Sequence, residues 1–289
     1  MFQDRLAEVA ARVETHFQDV MRPFGDEPVA KGMRYASAGG KRLRAFLVME
    51  SARLHGIPDD QAIWPACAVE ALHAYSLVHD DLPCMDDDDL RRGLPTVHKQ
   101  WDEATAVLVG DALQSLCFEL LAREECSPEA GVRAEMVLSM ARAAGAQGMV
   151  LGQALDIAAE SADAPLTLNE ITRLQAGKTG ALITWSACAG ARLAQADMGA
   201  LGAYGDRIGL AFQIADDLLD VEGDAQALGK AVGKDEEAGK ATFVSLLGLD
   251  GAKKRAAELV DQACEALSGY GEAAETLREA ARFVIAREK

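Results

Sequence analysis

The chain has no Cys-x-x-Cys pair. Its six cysteines, Cys67, Cys84, Cys117, Cys126, Cys188 and Cys264, are scattered. That excludes a disulfide framework and a thiolate zinc site, and it suits a reducing cytoplasm. No uncharged apolar run reaches the roughly 18–20 residues needed to span a membrane. The opening Met1-Phe2-Gln3-Asp4-Arg5 lacks a basic stretch followed by an apolar one, so no secretory signal is expected. Long alternating β-branched runs are absent, as are short repeats of the solenoid kind. Positive charge is scarce: 29 Lys and Arg face 46 Asp and Glu, a net −17. Such a surface repels nucleic acid and anionic lipid, and neither is an expected partner. It also repels a free phosphate substrate, so any phosphate site must be a local basic patch or a metal bridge.

Helix formers are plentiful, and 49% of the 289 residues are hydrophobic. Helical periodicity runs through most of the chain. Breaks fall at Pro23 to Pro28, Gly56-Ile57-Pro58, Arg92-Gly93-Leu94-Pro95, Ser127-Pro128 and Ala162 to Pro165. The segments between them have helix length, which predicts an all-α protein of roughly ten or more helices. No Ser/Gly- or Pro-rich linker divides the chain, so residues 1–289 are expected to form a single domain. Glu222 to Lys240 is the most loop-like stretch and suits a mobile lid.

Two carboxylate clusters stand out. The first is Asp80-Asp81-Leu82-Pro83-Cys84-Met85-Asp86, continuing through Asp87, Asp88 and Asp89 to Arg91-Arg92-Gly93. The helix before it is predicted over about 66–81. Pro83 disfavours its continuation, which puts Asp86 on a bend that can fold back. Like charges about 4 Å apart repel by on the order of 4 kcal/mol at an effective dielectric of ~20. A divalent cation removes that repulsion, and oxygen-only ligands favour Mg2+. In the second cluster, Gln213, Asp216, Asp217 and Asp220 fall at i, i+3, i+4 and i+7, on one helix face, with Phe212, Ala215 and Leu219 expected to pack. Either cluster alone also suits a solvated acidic helix end. The spacing of an EF-hand loop is missing.

Basic residues accompany the acids. Gly39-Gly40-Lys41-Arg42-Leu43-Arg44 opens a helical stretch, with Lys41 and Arg44 pointing the same way. Alone, it also suits a basic surface turn. Arg91 and Arg92 offer planar forks matched to phosphate oxygens. His73 lies two turns before Asp80 on the same face. Lys178-Thr179-Gly180 and the loop lysines Lys230, Lys234 and Lys240 complete the set, although for the loop lysines solvated charge serves equally well.

In GGKRLR, HAYSLVHDDLPCMDDDDLRRGLPT, GDAL, GQALD, KTGAL, FQIADDLLDVEGD and LGKAVGKD, the chain resembles the trans-prenyl diphosphate synthases, and among them the bacterial farnesyl diphosphate synthases. The resemblance runs from about residue 39 to 242. It implies one all-α domain around a deep central cavity, a homodimer, and facing aspartate motifs that hold three Mg2+ ions. Asp80 and Asp86 would hold two ions and Asp216 the third, with Asp81, Asp217, Asp220 and Lys178 also catalytic. Arg91, Lys178, Thr179, Gln213, Lys230 and Lys240 would bind the allylic diphosphate. Lys41, Arg44, His73 and Arg92 would bind isopentenyl diphosphate. The implied reaction condenses isopentenyl diphosphate with dimethylallyl or geranyl diphosphate, ending at farnesyl diphosphate. A geranyl or geranylgeranyl product is the alternative. A terpene cyclase fits the second motif less well, and a non-catalytic subunit tends to lose one motif. Lys240-Ala241-Thr242-Phe243-Val244 departs from the family's usual Lys-x-Thr-Tyr-Pro. Tyr75 lies about 7.5 Å down the helix from Asp80 at 1.5 Å per residue. It is either an ordinary core tyrosine or the floor of the tail pocket, and the resemblance favours the floor.

Overall fold

The computed structural model describes residues 2–162, 164–222 and 241–286. Helices dominate. They are α1 (Phe2–Met21), α2 (Pro28–Ser37), α3 (Leu43–Leu54), α4 (Asp59–Asp80), α5 (Val97–Gln100), α6 (Glu103–Ala122), α7 (Ala130–Ala144), α8 (Met149–Glu160), α9 (Leu168–Gln175), α10 (Ala181–Leu193), α11 (Gly199–Glu222), α12 (Phe243–Leu247), α13 (Leu249–Ala266) and α14 (Glu275–Ala286). The only strands among the described residues are a hairpin, β1 (Leu90–Arg91) and β2 (Leu94–Pro95). The expectation of an all-α chain of more than ten helices holds.

Peripheral helices carry one apolar stripe. In α1, Val9, Val13, Phe17 and Met21 recur every four residues and are buried. The central helices are apolar nearly all round. Residues 45–52 of α3 are buried without a break, as are most residues of α4 from Ala62 to Ala74. Side-chain packing links α6 to α4, α4 to α3, α3 to α10, α10 to α11 and α11 to α13. Two cavities open among these helices, one closed also by α8 and the other by α1 and α14. By length and composition α6 is apolar enough to cross a membrane. It buries Val109, Leu113, Leu116 and Leu120, packs along α4, and leaves Val107 and Leu108 exposed.

Helix α4 begins at Asp59, about two turns earlier than expected. Pro65 sits in its second turn and forfeits one backbone bond. Burial of the surrounding apolar stretch outweighs that loss. On α11 the buried side is Ala211, Ile214 and Ala215, whereas Phe212 and Leu219 are half-buried. The packing face is therefore rotated relative to the expectation, and it takes Asp217 inside with it.

Candidate active site

Helix α4 stops at Asp80 and the chain bends as Pro83 requires. The Asp86 N–H donates back to the Asp80 carbonyl at 2.8 Å, returning the third aspartate to the first. Asp80 is consequently raised to about 6, chiefly by burial. Asp86 and Asp81 add to the shift, and Lys178 and Arg91 oppose it. Asp81 turns inward and accepts from Arg91, whose Nε lies 2.9 Å from Oδ1. Arg91 also meets Asp88 at 3.5 Å. Arg92 and Gly93 both take left-handed backbone, at φ 54° and 76°, and make the two-residue turn between β1 and β2. Past this turn the Arg92 guanidinium folds over Gly40 and donates to the Ala38 carbonyl at 3.1 Å.

A cavity of about 140 Å3 gathers Lys41, Arg44, His73 and Arg92 along its wall. Residues from α3 and the segment just before it, from α4 and from the hairpin turn thus converge, as the family resemblance implies. Burial is the main cause that holds His73 well below the usual imidazole range, and Arg44, Arg92, Arg91 and Arg42 add to it. His73 is therefore neutral near pH 7 and offers a hydrogen bond rather than a charge. The Arg44 Nε is buried and has no protein partner among the described residues. Phe283 and Val284 of α14 close the same cavity, with Lys41 Nζ 6.0 Å from the Phe283 ring centroid. The C-terminal helix thus contributes a wall that no sequence motif announces.

The cavity holds a second feature missed by motif reasoning. Arg42, at φ 54°, is buried in the wall of the same cavity. Its Nη1 lies 3.4 Å from Oε2 of the buried Glu70, and its guanidinium stands over the Phe17 ring. Glu70 Oε1 in turn accepts the Ala45 N–H at 3.0 Å, capping α3. Glu70 sits one turn before His73, so one face of α4 supplies both the cavity lining and the clamp.

The Lys178-Thr179-Gly180 motif occupies a single π turn, Ala176–Gly180, between α9 and α10. Helix α8 presses on it closely. A Cβ at Gly152 would stand 2.0 Å from the Lys178 nitrogen, so glycine is required there. The same approach brings Asp156 of α8 to Lys178 Nζ at 2.6 Å. On the other side, the Thr179 hydroxyl donates to Gln213 Oε1 at 3.2 Å, and Gln213 Nε2 donates to Asp217 Oδ1 at 3.4 Å. Asp217 Oδ2 accepts the Phe243 N–H at 2.8 Å, where α12 begins. Asp216 bears electrostatically on Arg44. Asp220, one turn on, is half-buried.

A larger cavity of about 470 Å3 opens below Asp80, Lys178 and Thr179. Its walls are mostly apolar, from Leu77, Leu82, Met85, Met149, Ile157 and Leu182 among others, and Tyr75 and His79 line it too. Gln153 reaches this wall with both carboxamide atoms buried and unpartnered among the described residues. Arg44 and His73 line both cavities, so a basic compartment and an apolar one meet at these two side chains. Lys230 and Lys240, with Lys234 and most of the lid stretch, lie outside the described residues.

The donors around Asp80 fit a hard cation. They are oxygen-only, and Asp80 is forced toward its protonated form by burial and by neighbouring carboxylates. Among the described residues no three carboxylates or histidines close around a point. Oxygen-only donors suit Mg2+, which keeps much of its water and takes other ligands from phosphates.

Residues 26–280 match the family model described as polyprenyl synthetase. Farnesyl diphosphate synthase of Escherichia coli is 46% identical over 278 residues, 92% of each chain. A crystal structure of an FPP/GFPP synthase from Zymomonas mobilis superposes with a TM-score of 0.91 at 45% identity, over 98% of both chains. A geranyltransferase from Helicobacter pylori, complexed with magnesium and isoprenyl diphosphate, superposes with a TM-score of 0.81 at 32% identity, over 99% of this chain and 96% of that one. The helical architecture, the paired aspartate motifs and these matches agree: the chain belongs to the polyprenyl synthetase family.

Proposed function

We propose that this chain is a Mg2+-dependent trans-prenyltransferase that joins isopentenyl diphosphate to dimethylallyl and then geranyl diphosphate, ending at farnesyl diphosphate. The observation that carries this reading is the junction of two compartments. The basic cavity suits the diphosphate of isopentenyl diphosphate, and the apolar cavity below Asp80 suits a prenyl tail. Arg44 and His73 stand where the two substrates would meet.

Asp80 and Asp86 would hold two magnesium ions and Asp216 a third. The chemistry they supply is positive charge against the charge that gathers on a departing diphosphate. Lys178, steadied by Asp156, and Arg91, steadied by Asp81, add fixed charge beside the allylic diphosphate. Lys230 and Lys240 join them in this proposal. The allylic C–O bond breaks and leaves a carbocation. Gln213 Oε1 and the Thr179 oxygen present dipoles to that cation without capturing it. Asp217, by holding the Gln213 amide nitrogen, keeps Oε1 turned toward Thr179. The apolar walls exclude the water that would quench the cation. The double bond of isopentenyl diphosphate attacks, and the released diphosphate takes the proton that leaves.

Residues 1–289 act as one domain, since Lys41 and Phe283 build one cavity from opposite ends of the chain. The enzyme acts in the cytoplasm as a homodimer. Support for the dimer comes from Val107 and Leu108 on α6 and Val150 and Ile157 on α8, apolar side chains left exposed near the larger cavity. Incubation with dimethylallyl and isopentenyl diphosphates and Mg2+, followed by chain-length analysis, tests the reading. A C15 product is expected. A C20 product revises the length alone, and no condensation product at all overturns the function.

A further inference from the structure

One wall of the prenyl cavity is braced by a side chain that the chemistry does not use. Tyr75 and His79 lie one turn apart on α4, and both face the cavity. Their rings meet edge to face, with centroids 5.0 Å apart and planes at 77°. Both rings are also tied to α6. The Tyr75 phenol is hydrogen-bonded to the Gln114 side chain. The His79 Nε2 lies 3.1 Å from the Val107 carbonyl. A carbonyl only accepts, so this contact puts the proton on Nε2. The imidazole fills the space that a side chain at residue 110 would need: a Cβ on Gly110 would stand 2.0 Å from Nε2.

We infer that His79 is a positioning residue for product length: seated in the slot left by Gly110, it holds the Tyr75 ring across the path of the growing chain. The inference rests on Tyr75 being the floor of the cavity. A phenol tied only through its hydroxyl can swing about that bond. The edge-to-face contact with His79 adds a second restraint, on the ring itself, and limits that freedom. An edge-to-face pair is worth roughly a two- to tenfold shift between ring positions. The growing prenyl chain pushes on this ring, so losing the brace admits longer products before it affects ionisation at Asp80.

Product lengths from dimethylallyl and isopentenyl diphosphates with Mg2+ test the inference on the full chain. Tyr75→Ala is expected to lengthen the product; if it stops at the wild-type length, the floor reading falls and the brace with it. Given a longer Tyr75→Ala product, His79→Ala is expected to raise the share of products beyond C15 by roughly two- to tenfold. A double variant should run no longer than Tyr75→Ala alone, since the brace acts only through that ring. An unchanged length distribution in folded His79→Ala overturns the inference. So does a double variant that runs longer than Tyr75→Ala, which would make His79 a separate wall. Gly110→Ala supplies a second route to the same state, because its methyl displaces a side-chain tip and leaves the backbone in place. An unchanged product from that variant also overturns the inference.

Discussion

Arg42 and Glu70 form a buried ion pair, Nη1 to Oε2 3.4 Å, in the wall of the basic cavity. Removing one member leaves the other charged, buried and facing a compartment meant for anions. Arg42→Ala should therefore lower the unfolding free energy by about 3–5 kcal/mol, read from denaturant midpoints. It should also raise the KM for isopentenyl diphosphate above that for the allylic substrate, as the freed carboxylate repels diphosphate. Unchanged stability would show that the pair is not buried in solution.

Asp80 gives a pH dependence with a defined sign. Its folded-state value, about 6, lies above the ordinary 3.8, through burial first and then Asp86 and Asp81 against Lys178 and Arg91. Between these values the folded protein holds a proton that the unfolded chain releases. The contribution of Asp80 to stability therefore declines as pH rises through that window. In metal-free protein, Asp80→Asn should melt above wild type at pH 7 and lose that advantage near pH 4. Turnover should vanish on chelation and return with Mg2+. Full activity after exhaustive chelation would contradict the metal site.

The two basic groups should separate by substrate. Arg44→Ala is expected to raise the KM for isopentenyl diphosphate more than that for geranyl diphosphate, because Arg44 lines the basic cavity. Lys178→Ala should do the reverse, since it faces Asp80 and Asp156. Initial-rate kinetics with each substrate varied in turn distinguishes these outcomes. Equal effects would mean that the two diphosphate sites are wrongly divided.

Neighbouring aspartates on α11 should behave differently. Asp216→Ala should lower kcat by several orders of magnitude, roughly 10^3-fold or more. Asp217 accepts from Phe243 and Gln213 inside the protein. Asp217→Asn puts a donor beside the Phe243 N–H and should cost about 1–3 kcal/mol of stability, with a smaller loss of kcat than at Asp216. Thermal melts beside kcat values make the comparison. A melting temperature at wild-type level would deny Asp217 this anchoring part.

Local signals in the sequence carried far. The break at Pro83 foretold the return of Asp86 to Asp80, whereas the grouping of Lys41, Arg44, His73 and Arg92 came from the family resemblance and not from their charge. Spacing also put Gln213, Asp216, Asp217 and Asp220 on one side of α11. It could not say which edge of that side meets the core, because the position of α12 decides this, and Phe243 draws Asp217 inside. Nor could it pair Arg42 with Glu70 or bring Phe283 to Lys41. Those contacts join distant parts of the chain and leave no periodicity behind. Helix α4 starts at Asp59, before the expected start near residue 66, and it runs through Pro65 because burial of the flanking residues outweighs a single missing N–H.

The π turn at Ala176–Gly180 can be regarded as one residue more than an uninterrupted α-helix needs. Each residue advances a helix by about 100°. Deleting one residue within the turn would let α9 and α10 merge into a regular rod, with every later side chain kept in step. Within the regularised turn the residues would fall at ordinary helical positions about 100° apart, and Lys178 and Thr179 could no longer serve Asp156 and Gln213 together.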